Sequence, residues 1–189
     1  MNRTAAVVVG LGTVVGILIA AGQFALIGLA SYHPQPRVAA GAAQATKIQC
    51  SPLEALATHY HVALRIHETG MASVLPAGTG IEATCFYWIH VHDDSGIVHV
   101  EAPKTYSDHT FVLADVFAVA GMRFDAHHLG SRTFAGHSLS VYVEGNLWTG
   151  APGDAPLEPL QTIDVVGPGQ PFSYRPFGWP GGFLPPPTT

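Results

Sequence analysis

Between Thr58 and Glu68 the chain alternates, with Tyr60, Val62, Leu64 and Ile66 on one side and His59, His61, Ala63, Arg65 and His67 on the other. A period of two puts successive side chains on opposite faces of a strand, so this stretch is read as a half-buried β-strand. Cys85–His92 repeats the pattern, setting Cys85, Tyr87, Ile89 and Val91 against Phe86, Trp88, His90 and His92. Ile97–Ala102 sets Val98, Val100 and Ala102 against Ile97, His99 and Glu101, and Leu139, Val141 and Val143 alternate with Ser138, Ser140, Tyr142 and Glu144. A Gly145-Asn146 turn leads into Leu147-Trp148, and Ile163–Val166 reads as a closing strand. One helix is expected, with Thr110 as N-cap, an apolar run of Phe111, Val112, Leu113, Val116, Phe117 and Ala120, and Gly121 as its stop. The pattern predicts an all-β domain, mainly antiparallel, folded as a small sandwich or open barrel with one short helix.

The ends of the chain behave differently. Ala5–Ser31 carries no charged residue, and as a helix of about 40 Å it would span a hydrocarbon core of roughly 30 Å with some tilt. A cleaved signal peptide is the competing reading, but its apolar core would be only about 7–15 residues long. The small-residue cleavage candidate at Ala39–Ala43 also lies well past that core. An uncleaved single transmembrane helix is therefore expected, leaving the bulk of the chain extracytoplasmic. Residues 32–49 read as a flexible tether and 50–167 as the β-domain. Residues 168–189, rich in Pro and Gly, form an irregular tail whose aromatics Phe172, Tyr174, Phe177, Trp179 and Phe183 either fold back on the domain or dock on a protein partner.

Composition narrows the choices. Of 189 residues 48% are hydrophobic and 11% charged, too apolar for a disordered chain. A net charge of −5 leaves no basic surface for nucleic acid. The two cysteines are most simply a Cys50–Cys85 disulfide, worth roughly 3.8 kcal/mol on the chain-entropy model and consistent with export. A buried thiol or a copper ligand at Cys85 is the alternative. The 11 histidines outnumber the 8 lysines and arginines together, and they cluster on strand faces.

The decisive stretch runs from His90 to Glu101, where Asp93-Asp94-Ser95-Gly96 is a turn between two alternating runs. With all four residues in the loop, His90 faces His99 across the hairpin and Ile89, Val91, Val98 and Val100 share the other face. A one-residue slip would mix polar and apolar residues on both faces, so the face-pure register is expected. His90, His92 and His99 then converge as ligands of one transition-metal ion, copper or zinc, with His59 and His61 on a neighbouring strand and Glu101 or Asp93 as oxygen donors. His127 and His128 fall in an expected loop and read as surface, while His33, His109 and His137 have no supporting context.

His59-x-His61, Pro76-Ala77-Gly78-Thr79-Gly80-Ile81, Cys85, the His90–Glu101 hairpin, Phe111–Gly121 and Val141–Gly150 together resemble a group of membrane-anchored exported bacterial proteins without established activity. The resemblance covers about residues 50–167 and implies a shared exported fold. Pro159 and Leu160 stand where a further histidine would be expected. Serine hydrolase chemistry is disfavoured: Ser95 lies near His92 and Asp93, but no G-x-S-x-G elbow is present. A metal-free, non-enzymatic interaction module at the cell surface is the second reading.

Overall fold

The computed structural model describes residues 48–55 and 57–181. The expected anchor Ala5–Ser31 and nearly all of the tether lie outside them; among the described residues no helix is long and apolar enough to cross a membrane. The fold is β-rich. Its strands are β1 (Cys50–Ser51), β2 (Thr58–His67), β3 (Ala72–Ser73), β4 (Phe86–Tyr87), β5 (Ile89–His90) and β6 (Ile97–Ala102). After helix α1 (Leu113–Val119) come β7 (Phe124–Asp125), β8 (His128–Leu129), β9 (Arg132–Thr133), β10 (Ser140–Val143), β11 (Asn146–Leu147) and β12 (Gln161–Val166).

The main sheet has the order β11-β10-β12-β2-β6-β5, with β3 paired to β2, and β7-β8-β9 form a small separate meander. The alternation read along the chain defines its two faces. Val62, Leu64, Ile66, Val98, Val100, Ile89, Val141, Ile163 and Val165 belong to one buried cluster with Phe111, Leu113, Val116, Phe117 and Val119 from α1 and its approach. Each such side chain contributes roughly 1.5–3 kcal/mol by leaving water. The opposite face carries the histidines. It is partly covered, since Ala63, Ile97, Thr162 and Asp164 are also buried.

Three details depart from the expected arrangement. First, β12 runs parallel to β2, so the sheet is mixed, and β12 is buried on both faces, with Ile163 and Val165 toward the apolar core and Thr162 and Asp164 toward the other side. Second, Cys85–His92 is not one strand. Phe86 and Tyr87 pair with β1, whereas Ile89 and His90 pair with β6, and the partner changes at Trp88, whose amide donates to Gln49 O (3.0 Å) while its carbonyl accepts from Glu101 N (2.7 Å). Third, α1 begins at Leu113 rather than after Thr110. Phe111 and Val112 are drawn into an extended bridge with residues 155–157, through Leu113 N to Ala155 O and Leu157 N to Phe111 O, both 2.8 Å. The Asp115 carboxylate then accepts from Val112 N at 3.0 Å, which does the work of a cap. The helix stops at Gly121 as expected, with Gly121 N bonding to Ala118 O and Met122 N to Phe117 O.

Cys50 and Cys85 form the expected disulfide, with Cα atoms 5.6 Å apart. The tail lies on the histidine-bearing face. Phe172 stacks on Tyr142 (4.2 Å between centroids) and meets His67 edge-on, Tyr174 donates to Glu144 Oε2 (2.6 Å), and Arg65 donates to Arg175 O (2.8 Å).

Candidate metal centre

Because β2, β6 and β5 are successive neighbours, their registers bring the histidines together in rows. His61 stands opposite His99, His99 stands opposite His90, and His59 stands opposite Glu101. The turn holds this register by local bonds: Asp93 Oδ1 accepts from Ser95 N (2.9 Å), Ser95 Oγ accepts from Ile97 N (3.2 Å), and Gly96 adopts φ +83°. A Cβ on Gly96 would sit 2.8 Å from Val74 Cγ1, so only glycine closes the turn here. His90, His92, His99 and Glu101 therefore share one face, and their donor atoms all lie within 4.8 Å of one another. A second set, His59, His61 and His99, meets the same limit.

The individual distances resolve two lobes. His90 Nε2 and His92 Nε2 are 3.2 Å apart, and Glu54 Oε1 lies 3.9 Å from the first and 3.3 Å from the second. His59 Nε2 and His61 Nε2 are 3.1 Å apart, with Glu101 Oε1 at 3.2 Å from His59 Nε2. Between the lobes, Glu101 Oε1 stands 3.5 Å from His99 Nδ1 and 4.0 Å from His90 Nε2. The His99 ring is stacked against His90 (centroids 5.4 Å, 13°) and edge-on to both His61 and His92 (4.5 Å each). His90 and Glu101 form the buried floor, while His59, His92 and Glu54 keep more than a third of their side chains exposed.

The electrostatics favour ligation. His90 Nδ1 is 2.8 Å from Tyr87 O, and a carbonyl only accepts, so that nitrogen carries the proton and Nε2 offers its lone pair toward His92. Burial, reinforced by the neighbouring imidazoles, lowers His99 to about 3 and His61 to about 4, and burial lowers His90 as well. These rings are held neutral, the form that binds a metal. Burial, together with the nearby Glu54 carboxylate, raises Glu101 to about 7. Its Oε2 is buried without a hydrogen-bond partner among the described residues.

Of the residues singled out in sequence, the fold gathers His59, His61, His90, His92, His99 and Glu101 and leaves Asp93 outside, its carboxylate used to cap the turn. Glu54 carries no sequence signal, since it sits in the irregular stretch between β1 and β2. The Cys50–Cys85 bond and the Cys50–Tyr87 pairing fix the chain just before it beside β4, and this brings it to the cluster. The other histidines among the described residues make local contacts. His67 pairs with Asp164 (2.7 Å), His128 with Asp125 (2.7 Å), and His127 Nδ1 bonds to His137 O (2.6 Å). A separate cleft lined by Ala114, Phe124, Leu139, Leu147 and Trp148 includes none of the cluster residues.

A set of imidazoles and carboxylates without thiolate has the donor chemistry of a zinc or copper(II) site. No protein family, curated protein or solved structure matches this chain, so the site is defined by its own geometry.

Proposed function

We propose that this protein binds a transition-metal ion, copper or zinc, at the histidine–glutamate cluster of an exported domain held at a membrane by Ala5–Ser31. The observation that carries the metal reading is the meeting of His90, His92, His99 and Glu101 donor atoms within 4.8 Å on one face of the sheet. A cluster of imidazoles around a buried carboxylate has little structural use by itself, because burying polar groups costs stability unless a partner compensates. A divalent cation is such a partner. Export is supported by the disulfide, which persists in oxidising compartments, and by the uncharged apolar run near the N-terminus.

The test is elemental analysis of the full-length chain purified without an affinity histidine tag, followed by titration with Cu(II) and Zn(II). Copper or zinc should copurify or bind in near-stoichiometric amount, and His99→Ala should weaken binding by at least tenfold while His127→Ala leaves it unchanged. A wild-type chain that takes up neither metal refutes the reading and leaves the histidines as polar groups of an interaction surface.

A further inference from the structure

Resting on the metal reading above, we infer that the cluster is a dinuclear centre: one ion held by His90, His92 and Glu54, a second by His59 and His61, with Glu101 shared between them and His99, which stands between the lobes, giving its one lone pair to a single ion. The argument begins with number. Five imidazoles and two carboxylates converge, whereas a four-coordinate ion takes four donors. Geometry then divides them. Every ligand of a single ion lies at about 2.0–2.2 Å from it, so no two can be much more than about 4 Å apart. The donors whose atoms all lie within 4.8 Å of one another form two sets, His90, His92, His99 and Glu101 in one and His59, His61 and His99 in the other, and Glu101 Oε1 also reaches across to His59 Nε2 at 3.2 Å.

Each lobe has the dimensions of half a coordination sphere. Ligands around a tetrahedral ion at about 2.0–2.1 Å stand about 3.3–3.4 Å from one another. In one lobe the three edges are 3.2 Å (His90–His92), 3.3 Å (His92–Glu54) and 3.9 Å (His90–Glu54). In the other, the His59–His61 and His59–Glu101 edges are 3.1 Å and 3.2 Å. Glu101 is the natural shared ligand: Oε1 already faces His59, His99 and, at 4.0 Å, His90, while Oε2 is buried with no hydrogen bond among the described residues. A carboxylate has enough lone pairs to serve two cations, and an acceptor held this way in the interior is compensated by them. Each lobe also has a solvent-exposed member, His92 with Glu54 in one and His59 in the other, so both ions have a route in.

The experiment is Cu(II) and Zn(II) titration of the full-length, untagged, chelator-treated chain, with metal counted per protein and Cu(II) loading followed by electron paramagnetic resonance. Wild type should take up two equivalents. At full copper loading its integrated spin signal should fall well below two spins per chain, because ions sharing a ligand couple magnetically. His59→Gln with His61→Gln should leave one equivalent with a full isolated-copper signal, and His90→Gln with His92→Gln should leave the other. Glu101→Gln should restore signal intensity to any pair that still binds. Each double variant keeps one intact lobe, whose retained ion reports that the sheet has folded. One equivalent in wild type, abolished by either double variant, overturns the dinuclear inference while the single metal site stands. Two equivalents that both survive the His59/His61 change place the second ion elsewhere and also overturn it. No uptake at all removes the metal reading itself.

Discussion

Replacing Glu101 by glutamine should have opposite effects on stability in the metal-free and metal-loaded protein. Glu101 is 2% exposed, and its carboxyl is raised from 4.5 to about 7 by burial and by Glu54. When the folded-state value lies above the unfolded one, the contribution is intact below about pH 4.5, where both states hold the proton. As pH climbs, the unfolded chain ionises first, and stability drains away until the folded carboxyl has also titrated, near pH 7. At about 1.36 kcal/mol per unit, the loss by pH 8 is on the order of 3 kcal/mol. A glutamine side chain has nearly the same shape and no proton to lose, so the slope disappears.

Chelator-treated Glu101→Gln should therefore be more stable than chelator-treated wild type at pH 8 and close to it at pH 4.5. Urea unfolding with the disulfide intact, read from tryptophan fluorescence, gives both numbers. Adding copper or zinc should reverse the order, because ligand bound only to the folded state stabilises by RT ln(1 + [L]/Kd), and each tenfold loss of affinity removes about 1.4 kcal/mol. A variant that is destabilised by the same amount at both pH values, with or without metal, would show Glu101 to be an ordinary structural acid and refute the reasoning.

His99 and His61, lowered to about 3 and about 4 by burial and their neighbours, act with the opposite sign. Their unfolded forms take up protons first, so the metal-free protein should lose stability as pH falls from about 6.5 toward 4, and His99→Gln should flatten that limb of a urea–pH series. Tyr60, raised to about 12 chiefly by burial, donates to Leu157 O at 3.0 Å. Stability should fall between about pH 10 and 12 as the unfolded phenol ionises, and Tyr60→Phe should abolish that fall while costing roughly 1 kcal/mol at pH 7. Reduction of Cys50–Cys85 should lower stability by roughly 2–5 kcal/mol. It should also weaken metal binding more than Asp93→Asn does, because it releases the segment bearing Glu54; calorimetric titration before and after reduction checks this.

The faces of the sheet were legible because alternation is a local property: Val62, Leu64, Val98 and Val100 announce the core side, and the histidines between them follow to the other. The hairpin register was legible for the same reason, since the Asp93–Gly96 turn and face purity both demand His90 opposite His99. What alternation cannot state is which strand lies beside which. That β6 sits between β2 and β5, making His99 the centre of the cluster rather than one corner, depends on pairing between segments far apart along the chain. The parallel seating of β12 on β2 is equally non-local, and the late start of α1 follows from a bridge to Pro156 far along the chain. Glu54 was invisible because its position is set by a disulfide and not by any period.

Two buried carboxylates on one face of this sheet are compensated in different ways. Asp164, fully buried on β12, receives Arg65 through two bonds of 2.7 and 2.8 Å and His67 at 2.7 Å, and the Arg65 guanidinium is itself tied to the tail through Arg175 O. Its charge is met by a permanent cation in fork geometry, the arrangement in which a buried ion pair can recover its desolvation cost. Glu101, nearly as buried on β6, meets no arginine or lysine among the described residues; its ion-pair partners there are His59, His90 and His99. Two of those rings, His90 and His99, have lowered proton affinity and so do not supply the missing positive charge near neutral pH. The same alternating strand β2 thus feeds both ends of the face, arginine at one and histidines at the other, and of the two only the arginine end holds a permanent cation. At the histidine end burial raises Glu101 to about 7, so protonation meets its charge below neutrality, and above it the proposed divalent cation would do so, with the imidazole lone pairs around Glu101 to hold it.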